Sequence, residues 1–334
     1  MTFPAAGPNA PVPAPAPSAA PSDAPAGAAG AHAAVPLGEL PLARTTVDRG
    51  CERRADPGWL PAVLSGSDTA VLVLVNGRAA VADGRLVLSG TGAAEGARHL
   101  VYLGRRAGQE LVLADHAGVP SGLHDAEWLG LRDVAAGLGA GDAGLFVEAV
   151  AIANWHASHT HCPRCGAPTE VVQSGWVRQC PADGSEHFPR TDPAVIVSIT
   201  DDADRLLLGA NAQWGGQRFS TLAGFVEPGE SLEAAVVREV REEAGITVRE
   251  PRYLGSQPWP FPASLMLGFT ARADSTHTVP DGEEIIELRW FTRRELAAAV
   301  LDGAVSVPAG ASIARALVEH WYGGPLPEPR RLEN

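Results

Sequence analysis

The chain has 334 residues, 45% of them hydrophobic and 19% charged, and a formal net charge of −13. That acidic balance argues against a general nucleic-acid binder, which needs a basic surface to displace counterions, and suits a small anionic substrate held through metal ions. No run of about 18 apolar residues is present, so no membrane span is expected.

The first 35 residues hold 14 alanines and eight prolines, with Asp23 the only formal charge. Such a stretch buries too little apolar surface to offset its ordering entropy, so residues 1–36 are expected to be a disordered tail. A Pro-rich arm for a partner is the alternative. The tail lacks the basic start and continuous apolar core of a secretory signal.

Residues 37–159 form the next expected unit. Ala70–Val75 ends at Asn76-Gly77, a hairpin signal, and Leu86–Leu88 and Leu111–Ala114 read as further strands. Trp128–Leu138 and Gly144–His159 are expected to be helical. No catalytic motif stands out, so a structural or dimerisation role is expected. Cys51 reads as an ordinary packed residue.

Residues 160–190 carry the other three cysteines, a clustering that suits a metal site in a reducing cytoplasm better than a disulfide framework. Cys162-Pro-Arg-Cys165-Gly has the shape of a zinc knuckle, two thiolates spaced to grip one tetrahedral ion. The second half, Cys180-Pro-Ala-Asp183-Gly, places Asp183 where a fourth cysteine would stand. Asp183 or His187 could complete the set, or zinc could be lost. Any zinc would be structural, stapling an insert too short for a core. A nucleic-acid-reading ribbon is the other reading, with few basic residues behind it.

Residues 191–325 carry the chemistry. Ala194–Thr200 and Arg205–Leu208 read as a hairpin turning at Asp201–Asp204. Then comes Gly224, five residues, Glu230, seven residues, and Arg238-Glu239-Val240-Arg241-Glu242-Glu243-Ala244-Gly245-Ile246. Ser231 to Ala244 suits a helix stopped by Gly245. On it Glu239, Glu242 and Glu243 fall within an arc of about 100°. Three carboxylates on one face repel unless a cation sits between them, and hard divalent ions prefer such oxygen ligands. Ala235, Val236 and Val240 offer a stripe to bury, and Arg238 can pair with Glu242 four residues on. This spacing resembles the Nudix box of hydrolases that cleave nucleoside-linked diphosphates.

Beyond the box, Ser256-Gln257-Pro258-Trp259-Pro260-Phe261-Pro262-Ala263-Ser264 holds three prolines. They remove backbone donors, so the segment cannot be an ordinary central strand, and it can present Trp259 and Phe261 to a flat ring. Tyr253–Leu254, Leu265–Thr270 and Glu287–Phe291 read as strands. Thr292 and Glu295 form a capping box for a helix through Leu301, and Ser312–Tyr322 reads as the last helix.

This loop after the box, preceded by the cysteine knuckle, is similar to the NADH pyrophosphatase subfamily of Nudix hydrolases. The resemblance covers roughly residues 125–322. It implies an α/β (α+β) fold: a Nudix α/β/α sandwich with a mixed sheet, preceded by a small zinc ribbon and an N-terminal α+β domain. It implies a homodimer that splits NAD(H) into NMN(H) and AMP with Mg²⁺ or Mn²⁺, contains structural zinc, and could remove NAD caps from the 5′ end of RNA; a cytoplasmic location is expected from the cysteine usage. Glu239 and Glu243 match the box ligands, Glu242 is a further ligand or base, and Glu284 matches the remote metal-ligating glutamate. Gln257, Pro258, Trp259, Pro260, Phe261, Pro262, Ala263 and Ser264 match the substrate loop. Ala223 and Ala314 match backbone positions near the nucleotide. Phe188 matches an aromatic that stacks on the dinucleotide, with Phe225 the other stacking candidate, and Arg132 matches a substrate-reaching arginine. The chain departs from the pattern at Asp183 and at Gly175, where the family can place a glutamate. A broader diphosphatase acting on ADP-ribose or other dinucleotides is the alternative activity, and a catalytically silent dinucleotide sensor is the non-enzymatic one.

Overall fold

The computed structural model describes residues 36–213 and 217–328, so the expected tail lies outside the described residues except for Pro36. After α1 (Trp59–Ser65) come β1 (Thr69–Val75) and β2 (Arg78–Ala82). They pair through Leu74 with Ala79 and Val75 with Arg78. Asn76 and Gly77 between them both take positive φ, 52° and 74°, as a two-residue hairpin turn matching the strand twist requires.

The expected strand Leu86–Leu88 is two short ones, β3 (Arg85–Leu86) and β4 (Leu88–Ser89). β3 pairs with β2 and β4 with β1, so the chain changes partner at Val87. β5 (His99–Arg106) and β6 (Gln109–His116) follow, with β6 parallel to β1. The helix expected over Trp128–Leu138 is mostly absent. β7 (Glu127–Gly130) uses Trp128 and Leu129 to pair with Ala80 and Ala79, leaving only a short α2 (Leu131–Val134). Sheet pairing there overrides local helix propensity.

α3 (Ala140–Ser158) starts four residues earlier than expected and is buried around almost its whole circumference, as an internal helix must be. Cys51, expected to be packed, is an exposed free thiol. It opens a single 3₁₀ turn with no buried residue, so the segment offers it no core.

A small sheet of β8 (Glu170–Val172), β9 (Val177–Gln179) and β10 (Glu186–His187) carries the cysteine insert. The second large sheet begins with β11 (Asp192–Thr200), β12 (Leu206–Asn211) and β13 (Leu222–Phe225). α4 (Leu232–Ala244), β14 (Val248–Trp259), β15 (Ser264–Ala273), β16 (Ile285–Phe291), α5 (Arg293–Leu301) and α6 (Ile313–Tyr322) complete it. Its order is β14-β15-β11-β12-β16, with β13 on β11 and a parallel β11–β15 pair.

Alternation along β11 sends Val195, Val197 and Ile199 to one face, where Ala235, Val236 and Val240 of α4 meet them. Ile196 faces the opposite side with Ile313 and Leu317 of α6. The result is a mixed sheet between helical layers. Pro258 lies in β14, the edge strand, where a residue without an N–H is tolerated.

Candidate functional site

Ser231 caps α4 by accepting from the Ala234 N–H, and Gly245 closes it in the left-handed region at φ 68°. The buried valine stripe fixes the rotation of the helix, so its acidic face is set beside β13. Glu239 lies against Gly224. A Cβ at that glycine would overlap the Glu239 carboxylate.

Arg238 organises the rim. Its guanidinium donates to Glu230 at 2.6 Å, Glu239 at 2.9 Å, Glu242 at 3.0 Å and the Phe225 carbonyl at 2.8 Å. These partners raise its pKa, the Glu230 bond most of all. The expected pairing with Glu242 is thus one arm of a larger clamp.

Glu243 lies behind this rim, 5% exposed, with Oε2 buried and without a hydrogen-bond partner. Burial pushes its pKa up to about 9, and the charges of Glu284, Glu239, Asp281 and Glu242 push the same way. Burial also raises Glu239. Glu284 precedes β16 and accepts from Asn211 at 3.4 Å. Asp281 holds this turn by accepting the N–H groups of Glu283, Glu284 and Ile285. Four carboxylates therefore press on a buried fifth while Arg238 is spent on the rim. An orphaned carboxylate oxygen amid hard oxygen donors fits a divalent cation such as Mg²⁺ or Mn²⁺.

The structure brings Glu239, Glu243 and Glu284 together and leaves the Glu242 side chain 59% exposed on the outer edge. Ala223 and Phe225 flank Gly224 on β13, with Phe225 58% exposed. The sequence reading missed Asp281 and Asn211. An Asp-Gly pair just before a strand was the available signal for the first.

The proline–aromatic segment forms the end of β14 and the turn into β15. Trp259 and Phe261 pack edge to face at 5.1 Å and sit against the N-terminal core. Arg132 covers them, its guanidinium 4.0 Å from the Phe261 ring centroid and 5.4 Å from that of Trp259. Asn154 of α3, also missed, donates to the Pro260 and Pro262 carbonyls. The Ala263 carbonyl accepts from Asp192, and Ser264 pairs with the same residue.

Gln257 is fully buried. Its amide donates to the Ala311 carbonyl and accepts from the Ile313 N–H, so it pins the start of α6, where Ala314 lies. The Gln257 side chain therefore acts on the site through that backbone.

In the cysteine insert, ligand atoms of Cys162, Cys165, Cys180 and Asp183 all lie within 4.8 Å of one another. The Cys165 and Cys180 sulfurs are 3.4 Å apart, close to the roughly 3.8 Å of two thiolates on one tetrahedral zinc. Asp183 turns Oδ1 to the Ser185 N–H and hydroxyl, bonds that hold its pKa down at about 2, and points Oδ2 toward Cys162. His187 bonds the Ser185 hydroxyl at 3.2 Å instead of joining the cluster. The donor set fits one tetrahedral ion. Phe188 follows β10 and is 62% exposed.

Gly175 shows why a larger side chain is absent there. At φ 94°, a Cβ would strike the Leu100 carbonyl and Val101 backbone at 2.8 Å.

Residues 190–309 match the NUDIX domain, and residues 157–188 match the NADH pyrophosphatase zinc ribbon domain. The chain is 42% identical over 308 residues to NAD-capped RNA hydrolase NudC of Mycobacterium bovis, covering 86% of this chain and 95% of that one. It is 41% identical over 213 residues to NAD-capped RNA hydrolase NudC of Stutzerimonas stutzeri, covering 63% and 74%. It is 40% identical over 192 residues to NAD-capped RNA hydrolase NUDT12 of Macaca fascicularis, covering 54% and 42%.

Proposed function

The chain belongs to the NADH pyrophosphatase family of Nudix hydrolases, and from that premise we propose that it hydrolyses the diphosphate of NAD(H) to NMN(H) and AMP and removes NAD caps from RNA. The observation that carries this reading is the buried, unpartnered Glu243 oxygen among four other carboxylates beside Gly224.

Glu239, Glu243 and Glu284 would hold Mg²⁺ or Mn²⁺, with Glu242 as a further ligand or base. When bound, the ions neutralise the diphosphate and ease formation of a nucleophile from water at neutral pH. The protein's part is positional. Gly224 leaves room for the Glu239 carboxylate, and Arg238 holds the ends of Glu239 and Glu242. Glu243 would have to be deprotonated to hold the cation, and Glu242 or Glu284 would orient or deprotonate the attacking water. The substrate loop from Gln257 to Ser264, with Arg132, Ala223, Phe225 and Ala314, would seat the dinucleotide. Phe188 would stack on it, from the partner protomer of a homodimer.

Zinc on Cys162, Cys165, Cys180 and Asp183 would be structural. We divide the chain into an N-terminal domain (37–159), the zinc ribbon (160–190) and the Nudix domain (191–325), working in the cytoplasm. Chromatography of the products from NADH, NAD⁺, ADP-ribose and NAD-capped RNA with Mn²⁺ tests the function. NMN(H) and AMP are expected from the dinucleotides, and no turnover of any of them would refute it.

A further inference from the structure

Of the three glutamates that meet at the site, Glu239 and Glu243 ride on α4, which its buried valines hold in place. Glu284 has no such support. It is exposed and stands one residue before β16, an edge strand of its sheet. The exposed end of an edge strand opens easily unless it is tied.

Three ties converge on it. The Asp281 Oδ1 accepts the N–H groups of Glu283 at 3.1 Å, Glu284 at 3.1 Å and Ile285 at 2.8 Å. Gly282, at φ 79°, closes the turn by donating its N–H to the Ile285 carbonyl at 3.0 Å. From β12, the Ala212 N–H donates to the Glu284 carbonyl at 2.9 Å, and the Asn211 amide reaches the Glu284 carboxylate at 3.4 Å. The third tie is a β-bulge. Ala210 pairs with Glu287 but Asn211 pairs with Ile285, so Ile286 is an extra residue in β16. A slip of one residue moves side chains to the other face of a sheet, so the bulge re-aims the chain at Glu284.

An oxygen that already accepts three N–H bonds has no lone pair left for a cation, so the Asp281 Oδ1 acts through Glu284. We propose that Asp281 is a positioning residue for the hydrolysis: it presets the main chain of Glu284 opposite Glu239 and Glu243, while Asn211 steadies the carboxylate. Arg238 ties the other edge of the site separately. The proposal rests on the dinucleotide diphosphatase reading above.

The test measures Mn²⁺ affinity by electron paramagnetic resonance without substrate, then kcat and KM for NADH. It uses the full native chain, Asp281→Ala and Asp281→Asn, with circular dichroism confirming the fold and mass spectrometry confirming each substitution. Asparagine keeps an oxygen that can accept the same N–H groups but lacks the charge. Asp281→Ala should weaken Mn²⁺ binding roughly tenfold and lower kcat, with KM for NADH within about twofold of the parent. Asp281→Asn should recover most of both losses. A lowered melting temperature with unchanged Mn²⁺ affinity would reduce Asp281 to a stability role and overturn the proposal. Equal losses in the two variants would also overturn it, by assigning the effect to charge. Should Asp281→Ala fail to fold, Asn211→Ala takes its place; about threefold weaker Mn²⁺ binding is then expected, and unchanged affinity would overturn the proposal. A native chain that binds Mn²⁺ but cleaves neither dinucleotide refutes the diphosphatase reading instead, and Mn²⁺ affinity alone then decides on Asp281.

Discussion

Gly224 of β13 lies so close to the Glu239 carboxylate that a single methyl group on its Cα would occupy the same space. The glycine is not among those with positive φ, so its backbone would accept alanine. What the site requires there is the absence of volume. Gly224→Ala should therefore fold normally and lose most activity, about a hundredfold or more, by displacing Glu239. Manganese titration followed by electron paramagnetic resonance should show weakened binding; unchanged affinity would contradict this account.

Glu243→Gln replaces a buried acid that its surroundings hold protonated in the absence of a cation with a neutral amide of the same shape that cannot ionise. Turnover should fall on the order of 10³-fold or more, because the site loses its deepest anionic ligand. The metal-free variant should melt no lower than the parent at pH 8. Near-normal turnover would remove Glu243 from the catalytic set.

Asp183 and His187 make opposite predictions for zinc. Asp183→Ala should release the ion and lower the melting temperature, whereas His187→Ala should retain about one zinc per chain, as a tetrahedral Cys₃Asp site implies. Elemental analysis of both purified variants decides between them.

Burial pushes the Glu148 pKa from 4.5 to about 7, against the pull of Arg49 and Arg54. A folded-state pKa above the unfolded value means the fold prefers the protonated acid. Glu148 is therefore neutral in its effect below pH 4.5 and destabilises progressively as pH rises to about 7, by on the order of 3 kcal/mol. Glu148→Gln should match the parent melting temperature at pH 4.5 and exceed it at pH 8. Parallel curves across that range would contradict the buried-acid reading.

Gln257→Ala would strand the Ala311 carbonyl and the Ile313 N–H, each buried with Gln257 as its side-chain partner. The expected cost is about 1–3 kcal/mol, with a raised KM as the start of α6 loosens. A lower denaturation midpoint at unchanged slope would register the first effect.

The catalytic helix was legible in the sequence because its signals are local. Ser231 and Gly245 mark its ends, and the valine stripe fixes which carboxylates point outward. The hairpin at Asn76-Gly77 and the capping box at Thr292 were readable for the same reason. Trp128 and Leu129 were not, since their strand exists only because β2 lies alongside. Asp281 and Asn154 act through contacts whose partners are set by the tertiary fold. The Asn154 carboxamide reaches residues more than one hundred positions away. That Asp183 rather than His187 lies with the three sulfurs likewise depends on the tertiary placement of each side chain around Ser185.

Trp259 and Phe261 are partly buried against the core of the N-terminal sheet, and Asn154 fastens the turn that carries them. The proposed substrate loop is thus anchored outside the segment that carries the carboxylates. A fragment trimmed to the hydrolase module would keep its carboxylates but lose the scaffold on which that loop rests.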